Sequence, residues 1–291
     1  MKKTTIIIKI GLLFIFCACA HRVNNSNSIL TTEDTINTKL NQNEISREEK
    51  NNQIEEENRL DSLRLDSVLI EALDIAKQNI KSANFFKEYE QPINSSFIAT
   101  TNLTIGHLFS NINRHLIIRR IVPWAVYIDI YQIKDNNFKS VINREQGSMT
   151  YINDTIKDVN GDGYKDFLVH WYPNSGCCRR DIYNVFLNQS DTGTFTLNYE
   201  FINPTFSPKE KVIRGVEYGH PGEVGLYKYK WNGFQVDTIE FIYPEQSDTI
   251  NRFYLKTNKP LYSKQNIKKE KLKTVPKEYH NIDSFEWFND Y

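Results

Sequence analysis

The sequence predicts a mainly β protein, an antiparallel sandwich, barrel or propeller-like sheet, with one N-terminal helix ahead of it. Three observations carry this. After Pro92 the chain breaks into short runs of β-branched and aromatic residues separated by Asn, Asp, Gly and Pro, the texture of strands and turns. Val126, Ile128 and Ile130 alternate with Tyr127, Asp129 and Tyr131, so that strand has one apolar and one amphipathic face. Asn232-Gly233, between Trp231 and Phe234, is the pair that tolerates positive φ at both positions, and it predicts a two-residue type I′ hairpin turn.

Further strands read at residues 167–172, 182–187, 195–201, 212–218, 226–231 and 234–242, and Asp135-Asn136-Asn137 closes the first strand with a turn. Residues 45–81 lack Gly and Pro and set Leu65, Leu69, Leu73 and Ala76 at three- and four-residue spacing, which predicts an amphipathic helix. A coiled coil or partner-binding helix would need a broader stripe before Leu60, where Glu55-Glu56-Glu57 reads as a solvated face. The expectation is a stalk whose last turns pack on the domain.

The first sixteen residues place two lysines ahead of an apolar run too short to span a bilayer permanently, the build of a secretory signal. Phe16-Cys17-Ala18-Cys19 reads as a loose lipobox with Cys19 as the acylated residue, while Ala18-Cys19-Ala20 also satisfies ordinary signal cleavage. The lipoprotein reading is preferred, because a terminal cysteine is otherwise wasteful in an oxidising compartment. It places the protein in the cell envelope, anchored to a membrane and facing the periplasm or the cell surface. Loss of Lys2, Lys3 and Lys9 with the signal leaves 33 basic against 36 acidic residues, which excludes a nucleic-acid binder by bulk charge. The chain thus divides into a signal peptide at 1–18, a disordered tether at 19–44, a helical stalk at 45–92, a β domain at 93–255 and a lysine-rich extension at 256–291.

The strongest motif is Asp158-Val159-Asn160-Gly161-Asp162-Gly163-Tyr164-Lys165-Asp166. It puts side-chain oxygens at positions 1, 3, 5 and 9 and a glycine at position 6, which suits Ca²⁺, a hard cation that takes six to eight oxygens. Asp158, Asn160, Asp162 and Asp166 supply side chains and Tyr164 its carbonyl. Three carboxylates within nine residues repel one another unless a cation lies between them. Position 12 is Val169, inside an apolar run, so the EF-hand glutamate is missing and the loop leads at once into a strand. With every position filled by protein, the ion reads as structural.

Two loops are candidates for meeting a partner. The first carries Ser175, Gly176, Cys177, Cys178, Arg179 and Arg180. Here the adjacent cysteines either close a vicinal disulfide or remain thiols, since no other Cys or His at zinc-like spacing completes a metal site. The second presents Tyr218, His220 and Glu223 among glycines, and tyrosine and arginine are favoured interface anchors. His107, His115 and His170 read as structural. The lysine-rich tail, with eight lysines and two glutamates between Lys256 and Glu278, is either a contact for an anionic surface or a solvated extension.

DVNGDGYKDFLV, YNVFLN, FINPTFSPKEKVIRGVEYG and GLYKYKWNG, in this order over residues 158–242, resemble a family of small periplasmic proteins and lipoproteins with one calcium loop of the FG-GAP or VCBS type. Members include immunity proteins against lysozyme-like toxins, with a fold similar to the inhibitors of invertebrate-type lysozymes. The resemblance implies a calcium site at Asp158, Asn160, Asp162, Tyr164 and Asp166, and an inhibitory Ser-Gly step that Ser175-Gly176 offers. The expected function is a non-enzymatic, calcium-stabilised envelope binding protein that meets a protein or cell-wall partner, in its sharpest form an inhibitor of a lysozyme-like enzyme. The alternatives are a calcium-dependent glycan hydrolase, or a structural lipoprotein that assembles through its helix. No G-x-S-x-G or H-E-x-x-H step supports the hydrolase.

Overall fold

A computed structural model describes residues 47–174, 176, 178–245 and 253–289. The expected signal peptide, the expected tether and the candidate lipidation residue Cys19 lie outside the described residues, as do Ser175 and Cys177. By contacts the chain divides into two units, Met1–Arg47 and Glu48–Tyr291, and the second carries the fold.

Helix α1 (Arg47–Gln78) matches the glycine-free segment. Its buried stripe is Leu65, Val68, Ala72 and Ala76, with Leu69 and Leu73 half-buried beside it, so the packing face is turned by about one residue from the leucine spacing. The reason is the partner: against a flat sheet, the small Ala72 and Ala76 let the helix axis come close. Residues 47–59 of α1 are exposed on every side, and Glu56 pairs with Arg59 there at 2.6 Å.

A five-stranded antiparallel sheet follows, formed in chain order by β1 (Phe85–Pro92), β2 (Ile98–Gly106), β3 (Arg114–Ile121), β4 (Ala125–Lys134) and β5 (Asn137–Gly147). Leu103, Ile105, Leu116 and Ile118 of this sheet meet α1 on one face. Ile117, Val126, Ile128 and Ile130 point to the other, where Phe167 and Val169 lie. The period-two pattern of these strands is therefore resolved by a layer on each side.

The second sheet holds β6 (Tyr151–Lys157), β7 (Asp166–Trp171) and β8 (Ile182–Phe186), then, after the short ribbon β9 (Asn188–Gln189) and β10 (Thr194–Phe195), β11 (Tyr199–Ile202). The strand expected at 195–201 is thus split between ribbon and sheet. The third sheet has six strands: β12 (Pro204–Ser207), β13 (Val212–Val216), β14 (Leu226–Asn232), β15 (Gln235–Glu245), β16 (Phe253–Thr257) and β17 (Lys269–Leu272). Leu168 of β7 packs with Ile213, Tyr227, Trp231 and Phe241 of this sheet, whereas Phe167 and Val169 pack toward the first. The middle sheet is covered on both faces, which is why its strand reads as a continuous apolar run. The layout is a layered sandwich, and none of the described sheets closes into a barrel.

One expectation changes. In the β14–β15 hairpin Asn232 pairs with Gln235, leaving Gly233-Phe234 as the loop, and only Gly233 has positive φ, at 59°. Positive φ at the first loop position alone is the type II′ pattern. The double-positive pattern occurs instead between β4 and β5, where Asp135 and Asn136 have φ of 51° and 56°.

Residues 256–289 are built into the domain. Lys256 and Thr257 end β16, and Lys269–Leu272 is the edge strand β17, whose exposed lysines discourage pairing with another chain. Beyond it Val275, Tyr279, Ile282 and Phe288 cover Val216, Leu226 and Ile242 on the outer face of the third sheet. The Tyr279 hydroxyl donates to Glu240 at 3.0 Å. Charge counting hid this segment because its apolar residues are spaced widely among lysines.

Candidate functional site

The loop 158–166 joins β6 to β7, and Lys157 and Asp166 face each other across the base of the hairpin. Its polar side chains fold inward on the loop's own N–H groups. Asp158 accepts from Gly161 at 2.7 Å and from Gly163 at 3.0 Å, Asn160 Oδ1 accepts from Asp162 at 3.1 Å, and Asp162 accepts from Tyr164 at 2.8 Å. Asp166 is fully buried and accepts from Val159 and Asn188, both at 2.9 Å. The second of these bonds ties the loop to the ribbon strand β9.

Burial pushes the Asp166 carboxyl up to about 7, its two N–H donors oppose the rise, and the charges of Asp162 and Asp158 add to it. The loop also touches the other two sheets. Lys165 donates its N–H to the Phe109 carbonyl at 2.9 Å, after β2. Gly161, at φ 72°, lies so close to the turn after β12 that a Cβ there would stand 2.0 Å from the Pro208 carbonyl oxygen. The DVNGDGYKD and NPTFSP segments are therefore in contact.

The donor set of this loop, carboxylates, an amide oxygen and a carbonyl, is all oxygen and suits a hard divalent cation. Among the described residues, no three His, Cys, Asp or Glu side chains are drawn together closely enough to hold a metal ion. Asn160 Nδ2 reaches Asp162 Oδ2 at 3.0 Å, and Asp166 uses one lone pair of each oxygen on backbone donors.

The two candidate partner loops meet. Cys178 Sγ lies 3.7 Å from His220 Nδ1, and the Arg180 guanidinium stacks on the Tyr218 ring, 4.9 Å from its centre. Gly176 is adjacent to the Tyr218 hydroxyl, with 3.5 Å between that oxygen and a Cβ built on the glycine. The pairing of Cys177 with Cys178 lies outside the described residues; Cys178 itself is buried. Helix α2 (Phe285–Asn289) braces both loops. Trp287 Nε1 donates to the Gly219 carbonyl at 2.9 Å, Gly222 N–H donates to the Trp287 carbonyl at 3.0 Å, and Arg179 pairs with Glu286 at 2.8 Å.

Of the remaining histidines, His115 is buried with Nε2 at 2.9 Å from the Gly193 carbonyl. His170 is 2.8 Å from Asp181 and stacks on Tyr183. Both are packed into the fold.

Beside the 218–223 loop opens a cleft of about 520 Å³ that sequence reasoning did not find. Glu200, Glu217 and Glu223 line it together with Tyr218, Tyr227, Tyr229 and Tyr262. Tyr227 and Tyr229 stack at 4.7 Å, and Tyr227 donates to the Ile202 carbonyl at 2.7 Å. Burial raises the Glu217 carboxyl above its ordinary range and Tyr229 to about 12, so the phenol stays neutral. The signal that marks the cleft is the Tyr-x-Tyr alternation in β14, which puts two rings on one face. No family model, curated protein or solved structure matches this chain.

Proposed function

We propose that this chain is an exported, lipid-tethered and non-enzymatic binding protein of the cell envelope, stabilised by calcium in the 158–166 loop, and that its partner is a lysozyme-like enzyme which it inhibits. The observation that carries this reading is the meeting of two separate loops, through Cys178 with His220 and Arg180 with Tyr218, on a base held by Trp287. A recognition surface needs anchors whose rotamers are already restrained, because ordering them on binding costs affinity. The ion would be held by Asp158, Asn160, Asp162, Asp166 and the Tyr164 carbonyl, and when bound it neutralises their charge. Its part is to stiffen the hairpin that precedes the cysteine loop.

Wall-lysis assays with a panel of lysozymes and other muramidases test the reading. The mature chain slows at least one of them, and Arg180→Ala with Tyr218→Ala weakens that inhibition at least tenfold, since anchor truncations of this kind cost about 2 kcal/mol or more. If the wild-type chain leaves every lysis curve unchanged, inhibition is removed from the account. A second reading, a glycan hydrolase, draws on the carboxylates that share one cleft. It requires release of reducing ends from envelope glycans and loss of that activity in Glu217→Gln; the binding reading requires none.

A further inference from the structure

We propose that the tyrosine-lined cleft takes the cationic head of a basic side chain from the partner protein, with Glu217 as its counter-charge and Tyr218, Tyr229 and Tyr262 as the walls around its stem. This deepens the binding reading of the preceding section and rests on it for the identity of the face, although the cleft chemistry is tested separately below.

Three facts point to a cation. Glu200, Glu217 and Glu223 line one cavity, and among the described residues none of the three is in an ion pair. Glu217 is held in place: its N–H donates to the Gly225 carbonyl at 2.8 Å, and a Cβ on Gly225 would stand 2.5 Å from Glu217 Oε2, so only glycine leaves that carboxylate its position. The walls are aromatic, and ring faces attract a cation once water is displaced. Of the basic groups nearby, Arg180 is already stacked on Tyr218 and the Arg144 charge acts on Glu200, which leaves Glu217 as the carboxylate for an incoming cation. A neutral saccharide could stack on the same rings, but it would strip water from the carboxylates without supplying the charge they lack. A lysine or arginine side chain supplies both the apolar stem and the charge.

Titration of the full mature chain with hexalysine, followed by calorimetry, tests this. Hexalysine binds, whereas hexalysine with acetylated side chains and an N-acetylglucosamine oligosaccharide do not. Glu217→Gln and Tyr262→Ala each weaken hexalysine at least tenfold, while Glu55→Gln, which removes the same charge from exposed α1, leaves it unchanged. Tyr262 is 82% exposed, so its replacement leaves folding intact and keeps the test informative if Glu217→Gln does not fold. The proposal is overturned if hexalysine does not bind, if Glu55→Gln and Glu217→Gln act alike, or if the acetylated peptide or the oligosaccharide binds as well. Inhibition of a muramidase that survives in Glu217→Gln and Tyr262→Ala would overturn the cleft and leave the binding reading standing.

Discussion

Arg120→Met lowers the unfolding free energy by about 3–5 kcal/mol, the scale for removing one partner of a buried ion pair. Arg120 and Asp129 are 5% and 1% exposed and pair at 3.0 Å across β3 and β4. Nη1 of the same guanidinium donates to the Leu65 carbonyl of α1 at 2.8 Å, and Asn143 donates to Asp129 at 2.6 Å. The substitution strands a buried carboxylate and releases the helix from the sheet at once. Urea unfolding of Arg120→Met beside the double variant Arg120→Met with Asp129→Leu checks the cause. The double variant recovers most of the loss, because it removes the orphaned charge as well as its partner. Equal losses in both would mean that the contact to Leu65 dominates.

The second large effect is on the 158–166 loop and depends on pH. In metal-free protein the buried Asp166 carboxyl has its native value raised to about 7, against about 4 for an unfolded carboxyl. Between those values the native state holds a proton that the unfolded chain has released, so stability falls as pH rises from about 4 to about 7. Over the full window this group costs about 4 kcal/mol. A calcium ion held as proposed would reverse the sign of the problem, since a divalent charge beside Asp158, Asp162 and Asp166 favours the charged carboxylates. Chelated protein is therefore more stable near pH 5 than near pH 7.5 as far as this group is concerned. The gain from added calcium is larger at pH 7.5, where no proton competes. Melting curves at the two pH values, with chelator and with calcium, measure both.

Local chemistry was legible where a short window contains the whole cause. The apolar run after residues 158–166 read as a strand, and β7 lies there. Asp135-Asn136 and Gly233 marked their hairpins, although the second turn forms one residue later because Asn232 is used in the ladder. What was not legible depends on pairing across long separations. Asp166 meets the N–H of Asn188, and Gly161 meets Pro208, through contacts that no window of ten residues contains. The same holds for the tail. Its lysines dominate any local average, while Tyr279 and Phe288 find Val216, Leu226 and Ile242, which lie at least 37 residues earlier in the chain. The tyrosine cleft was missed for a related reason: Glu200, Glu217 and Tyr262 are brought together only by the stacking of β11 against the third sheet.

The melting temperature of chelated mature protein, recorded at pH 7.5 before and after addition of calcium, tests the proposed calcium site most directly. At a thousandfold excess over the dissociation constant, a ligand bound by the folded state alone adds about 4 kcal/mol. For a domain of this size that is a rise of roughly 8–16 °C. Asp162→Ala, which removes an exposed carboxylate that accepts an N–H bond only from within the loop, folds and loses the rise. A melting temperature that calcium does not move, or a rise that persists in Asp162→Ala, would contradict the calcium site.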